Sequence, residues 1–92
     1  MNTEEKAYLD LVASLGCIVC GRPAAIHHPR FAAGLSQRAS HYLAFPLCSD
    51  HHQTGGHGVA IHAGQTTFER MYGSEERLLA ETIQKVFNKL RG

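Results

Sequence analysis

Three cysteines and seven histidines stand in a chain of 92 residues, and all of them fall within residues 17–62. Cys17, Cys20 and Cys48 are too many for one disulfide and too few for two, so reduced thiolates held on a metal are the simplest account. Cys17-Ile-Val-Cys20, followed by Gly21, is a zinc knuckle: two intervening residues let both sulfurs face one ion, and glycine permits the tight turn. Cys48-Ser-Asp-His51 supplies a second pair at the same spacing. Together they make a Cys₃His set for a structural Zn²⁺ that uses every cysteine. The competing reading, three buried thiols and a surface histidine, explains neither the matched spacing nor the shortage of apolar residues around it. Zinc in such sites is worth on the order of 10 kcal/mol of folding free energy.

The remaining histidines suit a second task. His27-His28 precedes Pro29, which holds His28 extended. His52 adjoins the zinc candidate His51; neighbouring helical residues point about 100° apart, so one can serve zinc while the other faces elsewhere. His62 follows in Val59-Ala-Ile-His62. Three imidazoles around a second divalent ion, with a fourth left as base, is a combination for phosphodiester hydrolysis. A histidine takes a proton from water, and the ion offsets charge on the phosphoryl and leaving oxygens. Asp50 is the only carboxylate between Asp10 and Glu69, which argues against a two-metal carboxylate mechanism. Imidazole donors favour Zn²⁺, Ni²⁺ or Mn²⁺ over Mg²⁺, without choosing among them. His57, in Gly55-Gly-His57-Gly58, competes with His62 as third ligand, from a loop with little to pre-organise it.

Charge adds little. A net charge of +1 is no polycation, so any affinity for DNA must come from a site. Arg22, Arg30 and Arg38 leave residues 17–64 with a local balance of +2 against Asp50. They either hold phosphates, with Phe31 offering a planar contact to a base, or are ordinary solvated side chains. No apolar run is long enough to span a membrane, and the first residues lack the order of a signal peptide. The expectation is a cytoplasmic protein with no membrane partner.

These residues need elements to hold them. Asn2 with Glu5 is a capping-box pattern, and Tyr8, Leu11, Val12 and Leu15 recur at helical spacing, predicting a helix over 3–15 that Gly16 ends. A second helix over 75–90 opens at Ser74, with Glu75 and Glu76 suiting the helix dipole. Its expected apolar stripe is Leu79, Ile83, Val86 and Leu90, with Phe87 beside it. A shorter helix over 65–72 turns Phe68, Met71 and Tyr72 inward and is capped by Gly73. Residues 24–28 and 42–47 are expected strands, punctuated by Pro23, Pro29 and Pro46, and 49–54 a short helix or turn before Gly55. Strand, loop, strand and short helix make a ββα unit, too poor in apolar residues to stand without a staple. The chain is therefore expected to be one α+β domain over 1–92, its core at about 17–64 flanked by terminal helices.

The run Cys17-x-x-Cys20, His27-His28, His41, Pro46-Leu47-Cys48-x-x-His51-His52 and Ile61-His62 resembles the HNH (ββα-metal, His-Me finger) endonucleases. With Phe68-Glu69 and Tyr72-Gly73 behind it, it is similar more narrowly to the Ref-type, RecA-dependent phage nucleases. The resemblance covers about residues 15–80 and implies a metal-dependent DNA endonuclease of phage recombination or repair. It implies that His27 binds the catalytic metal, that His28 is the general base, and that His52 and His62 complete the metal site. His41 takes the place of the middle asparagine, which orients the base. DNA is the implied partner, and a recombinase filament enters by family association alone. A non-catalytic zinc module that binds DNA or a protein is the alternative.

Overall fold

The computed structural model describes residues 1–32, 34–35 and 41–92. Its first helix, α1 (Thr3–Ser14), starts where expected because the Asn2 side chain accepts the Glu5 backbone N–H at 2.8 Å. Leu9 and Val12 are its buried apolar residues, while Tyr8, Leu11 and Leu15 are half-buried. The chain leaves α1 through Gly16, whose φ of 81° is open to glycine and strained for other residues. A side chain here would also fail on space, since a Cβ would lie 2.7 Å from the Gly21 carbonyl oxygen.

Two short strands follow, β1 (Ala25–His27) and β2 (Phe45–Leu47), paired antiparallel with His27 opposite Phe45 and Ala25 opposite Leu47. Both are shorter than the expected spans of 24–28 and 42–47. His41 and Tyr42 are helical, so pairing is confined to the stretch where Phe45, Pro46 and Leu47 are all buried. Pro46 has no N–H to give the ladder, but its carbonyl accepts the Ile18 N–H at 2.9 Å and so ties the cysteine knuckle to the sheet. After β2 comes a wide helical turn, Asp50–Thr54, closed by an i→i+5 bond from Gly55 N–H to the Asp50 carbonyl at 2.9 Å. A 3₁₀ turn (Ile61–Ala63) leads into α2 (Gln65–Tyr72) and then α3 (Glu75–Arg91). Gly73 ends α2 at φ 115°, and the Ser74 hydroxyl caps α3 by accepting the Arg77 N–H at 3.1 Å. This is a small α+β domain. Among the described residues no helix is long and apolar enough to cross a membrane.

The core is small and gathers around the sheet. Phe45, Leu47, Ile61, Phe68, Leu78 and Leu79 form one cluster with the sulfurs of Cys17 and Cys48 inside it. Here the expected stripe on the last helix needs correcting. Leu79 and Val86 are buried, whereas Ile83, Phe87 and Leu90 are exposed at 48%, 60% and 71%. The domain behind α3 is too narrow to cover the far side of its apolar arc. Met71, expected inward, is 64% exposed for the same reason, since Phe68 and half-buried Tyr72 already occupy the inner face of α2.

Truncating Phe68 to alanine should cost about 3–5 kcal/mol, because the ring is fully buried in this core. Phe87→Ser on the open face should change stability by no more than about 0.5 kcal/mol. Urea unfolding of the two variants checks the contrast.

Candidate functional site

The turn after α1 presents Cys17 and Cys20. Cys17 N–H bonds to the Arg22 carbonyl at 2.8 Å and Gly21 N–H to the Cys17 carbonyl at 2.8 Å, which curls the knuckle around its sulfurs. Cys48 follows β2 directly, and His51 comes one turn later from Asp50–Thr54. The four ligand atoms all lie within 4.8 Å of one another. Cys20 Sγ is 3.7 Å from Cys48 Sγ, and His51 Nδ1 is 3.2 Å from Cys48 Sγ and 3.7 Å from Cys17 Sγ. Zn–S bonds near 2.3 Å at tetrahedral angles put two sulfurs about 3.8 Å apart and a sulfur about 3.6 Å from an imidazole nitrogen. A disulfide needs about 2.05 Å. The sulfurs therefore stand at the separation of shared ligands rather than bonded partners, and the set is compatible with a structural zinc. The edge of the His51 ring packs against Tyr72, ring centres 5.1 Å apart, which holds its Nδ1 toward the thiols.

Arg22 serves this cluster. Its Nε donates to Cys20 Sγ at 3.5 Å and its guanidinium pairs with Asp50 at 3.2 Å. The Arg22 backbone N–H first, and its side chain second, draw the Cys20 thiol down to about 6 and favour the thiolate that a metal requires. Burial pushes Cys17 the other way.

The second cluster lies beside the first. His27 at the end of β1, His52 on the wide turn and His62 on the 3₁₀ turn also bring one ligand atom each within 4.8 Å of the others. His52 Nε2 and His62 Nε2 are 2.9 Å apart, and the His27 ring lies 5.2 and 5.3 Å from theirs, centre to centre. Burial, with the neighbouring His27 and His62 adding to it, pushes His52 down to about 4. The ring thus stays neutral around pH 7 and keeps a lone pair for a cation. Burial likewise lowers His27, against the opposing pull of the Glu75 carboxylate. Three imidazoles at this spacing fit a divalent ion of borderline softness.

With both donor sets described, the family match can be set beside them. The chain matches DUF968, a protein family of unknown function, over residues 1–89. It belongs to that family. No curated protein matches it. The DUF968 match spans both clusters, so each proposed ligand lies within the family's extent and none on an appendage to it.

The other expected site residues of this DUF968 chain fall in three places. His28 is exposed, outside the three-histidine set, with its ring 5.5 Å from that of His41. Partial desolvation, helped by His41, lowers His28 below the ordinary imidazole value and leaves it a neutral base. His41 Nε2 stands 3.8 Å from the Glu5 carboxylate of α1, and neither of its ring nitrogens has a hydrogen-bond partner among the described residues. His57 is outside the set; its ring contacts the Ala63 carbonyl at 3.4 Å and the Thr67 hydroxyl at 3.2 Å, so His62 and not His57 faces His27 and His52. Arg22 is engaged at Cys20 and Asp50 rather than turned out for phosphates. The Arg30 side chain is exposed, and Arg38 lies outside the described residues.

Sequence reasoning passed over Glu75. It was noticed as a first-turn acid of a helix, yet its carboxylate is buried against His27, with Nε2 to Oε2 at 2.9 Å. A separation of 48 residues hides such a pair from any local pattern.

Zinc should co-purify with the protein and be lost, by elemental analysis, from Cys17→Ser and Cys48→Ser variants. Chelation should lower Tm steeply, because a metal worth on the order of 10 kcal/mol would otherwise hold a core this small.

Proposed function

We propose that this protein is a metal-dependent endonuclease that hydrolyses DNA phosphodiester bonds within an HNH-type ββα-metal core. The observation that carries the reading is the convergence of His27, His52 and His62 within 4.8 Å, next in sequence to an exposed, unligated His28. The resemblance in motif order supports the same assignment. Cys17, Cys20, Cys48 and His51 hold the structural zinc, and His27, His52 and His62 hold the second divalent ion. Such an ion offsets negative charge on the phosphoryl group and on the departing oxygen.

The chain's own residues supply the rest. An imidazole nitrogen of His28 takes the proton from the attacking water, for which a neutral, solvent-facing ring is suited. His41 packs edge-on to His28 and limits the directions in which that ring can turn. His62 is exposed at the cluster, and a groove lined by Pro23, Ala25, Ser49 and Gln53 borders His52, so two of the three rings are reachable from solvent. Arg30, with its exposed side chain, is assigned to neighbouring phosphates, and Arg38 is assigned the same task from sequence alone. With a net charge of +1, binding to DNA should be weak and strongly dependent on salt.

A nicking assay on supercoiled plasmid with Mn²⁺, Ni²⁺ or Mg²⁺ tests the proposal. His28→Ala should lower the rate by about 10²–10⁴-fold while zinc content and Tm stay unchanged. A wild-type rate in a folded, zinc-loaded His28→Ala protein would exclude this mechanism. Absence of cutting by the wild type with every cation would favour the non-catalytic zinc module.

A further inference from the structure

Glu75 is one of the least exposed charged side chains of the molecule, 2% exposed, although it opens a surface helix. A carboxylate so placed must be compensated, and the compensation is specific. Its Oε1 accepts the Arg30 backbone N–H at 3.0 Å and the Gln65 side-chain N–H at 3.0 Å. Its Oε2 faces His27 Nε2 at 2.9 Å, with the Arg30 N–H shared at 3.2 Å. The residue is itself anchored, since its backbone N–H bonds to the Glu69 carboxylate at 3.0 Å. The Arg30 and Gln65 groups that meet Glu75 in these bonds can only donate. With three N–H contacts already on its two oxygens, the carboxylate is set as an acceptor on every side, and the arrangement is completed when His27 offers it Nε2–H.

That arrangement has a consequence at the other side of the ring. A neutral imidazole carries one proton; with Nε2 protonated, Nδ1 holds the free lone pair. We infer that Glu75 is a positioning residue that locks His27 as its Nε2–H tautomer and so reserves Nδ1 for the cation shared with His52 and His62. The inference rests on the three-histidine metal reading above and adds a residue from α3 to it. Carboxylate–histidine–metal arrangements of this kind raise the ligand's basicity and fix the ring's orientation. The neighbouring bonds from Arg30 and Gln65 keep the carboxylate from swinging away, so the lock is braced from two further segments of chain.

Glu75→Gln separates this role from a merely structural one. The amide keeps an oxygen for Arg30 and Gln65 but can turn an N–H₂ toward His27, where a lone pair, not a proton, is then wanted. The experiment uses the full chain with structural zinc bound and histidines labelled with ¹⁵N. Long-range ¹H–¹⁵N spectra read the His27 tautomer before any second metal is added, and calorimetric titration with Co²⁺ then reads affinity. The wild type should show Nε2–H. In Glu75→Gln that signal should shift toward Nδ1–H, with Co²⁺ bound about 10–100-fold more weakly. Glu76→Gln removes a carboxylate from an exposed position in the same first turn, outside the Glu75 contacts, and should change neither tautomer nor affinity by more than about 2-fold. An Nδ1–H tautomer in the wild type, or an unchanged tautomer and affinity in Glu75→Gln, overturns the inference. The predicted tautomer in a wild type that takes up no Co²⁺ would uphold the Glu75 lock and overturn the metal reading, so the two failures are distinct.

Discussion

Four donor atoms from two separated stretches of chain have to meet at tetrahedral spacing, and the remainder of the domain is arranged around that meeting. Cys17 and Cys48 belong to the hydrophobic cluster, packed with Phe45, Leu47, Phe68 and Leu78. The metal set and the core are therefore one object. Between α1 and α2 the described regular structure amounts to two three-residue strands and a few short turns, which bury too little to order a segment of that length. A metal tie, with which the Cys17, Cys20, Cys48 and His51 cluster is compatible, would supply what apolar burial cannot at this size.

The three clustered histidines inherit their positions from this frame. His27 ends the strand that pairs with β2, and β2 runs straight into Cys48. His52 is the chain neighbour of His51, on a turn whose other end is tied by the Asp50–Gly55 bond. His62 is brought up by a 3₁₀ turn whose Ala63 carbonyl is touched by His57. A proposed catalytic ion would thus be held by residues tied to that frame by strand pairing at His27, by chain adjacency at His52 and through the core residue Ile61 at His62. Small shifts in that frame would be felt directly at the cluster, and the proposed role of Glu75 is to limit them.

Much of this was legible in the residues. The caps at Asn2 and Ser74 marked helix starts because a side-chain oxygen there has a local backbone N–H to accept. The two Cys/His pairs were legible because ligand spacing is itself local, and the three-histidine set because adjacent histidines at 51–52 cannot both face one ion. Other features depend on what lies across space. Ile83, Phe87 and Leu90 have helical periodicity, but periodicity says that a face is apolar and not that a neighbour exists to cover it. For Arg22 the sequence leaves open a phosphate contact or a solvated side chain, and its contacts with Cys20 and Asp50 depend on neighbours that no local pattern names. The wide Asp50–Thr54 turn has no composition signal of its own; it answers to the need to direct His51 and His52 to two different centres.

That division of labour between adjacent side chains constrains which length changes the gene could tolerate. Surface loops ordinarily accept inserted residues at small cost, because closing a slightly longer loop is entropically cheap. One codon added between His51 and His52 would instead swing the second ring by about 100° around the helix axis. The thiol-bound frame would survive such a change, and the neighbouring centre would lose a donor. In natural variation among such chains, drift in length should accordingly collect elsewhere and spare this doublet.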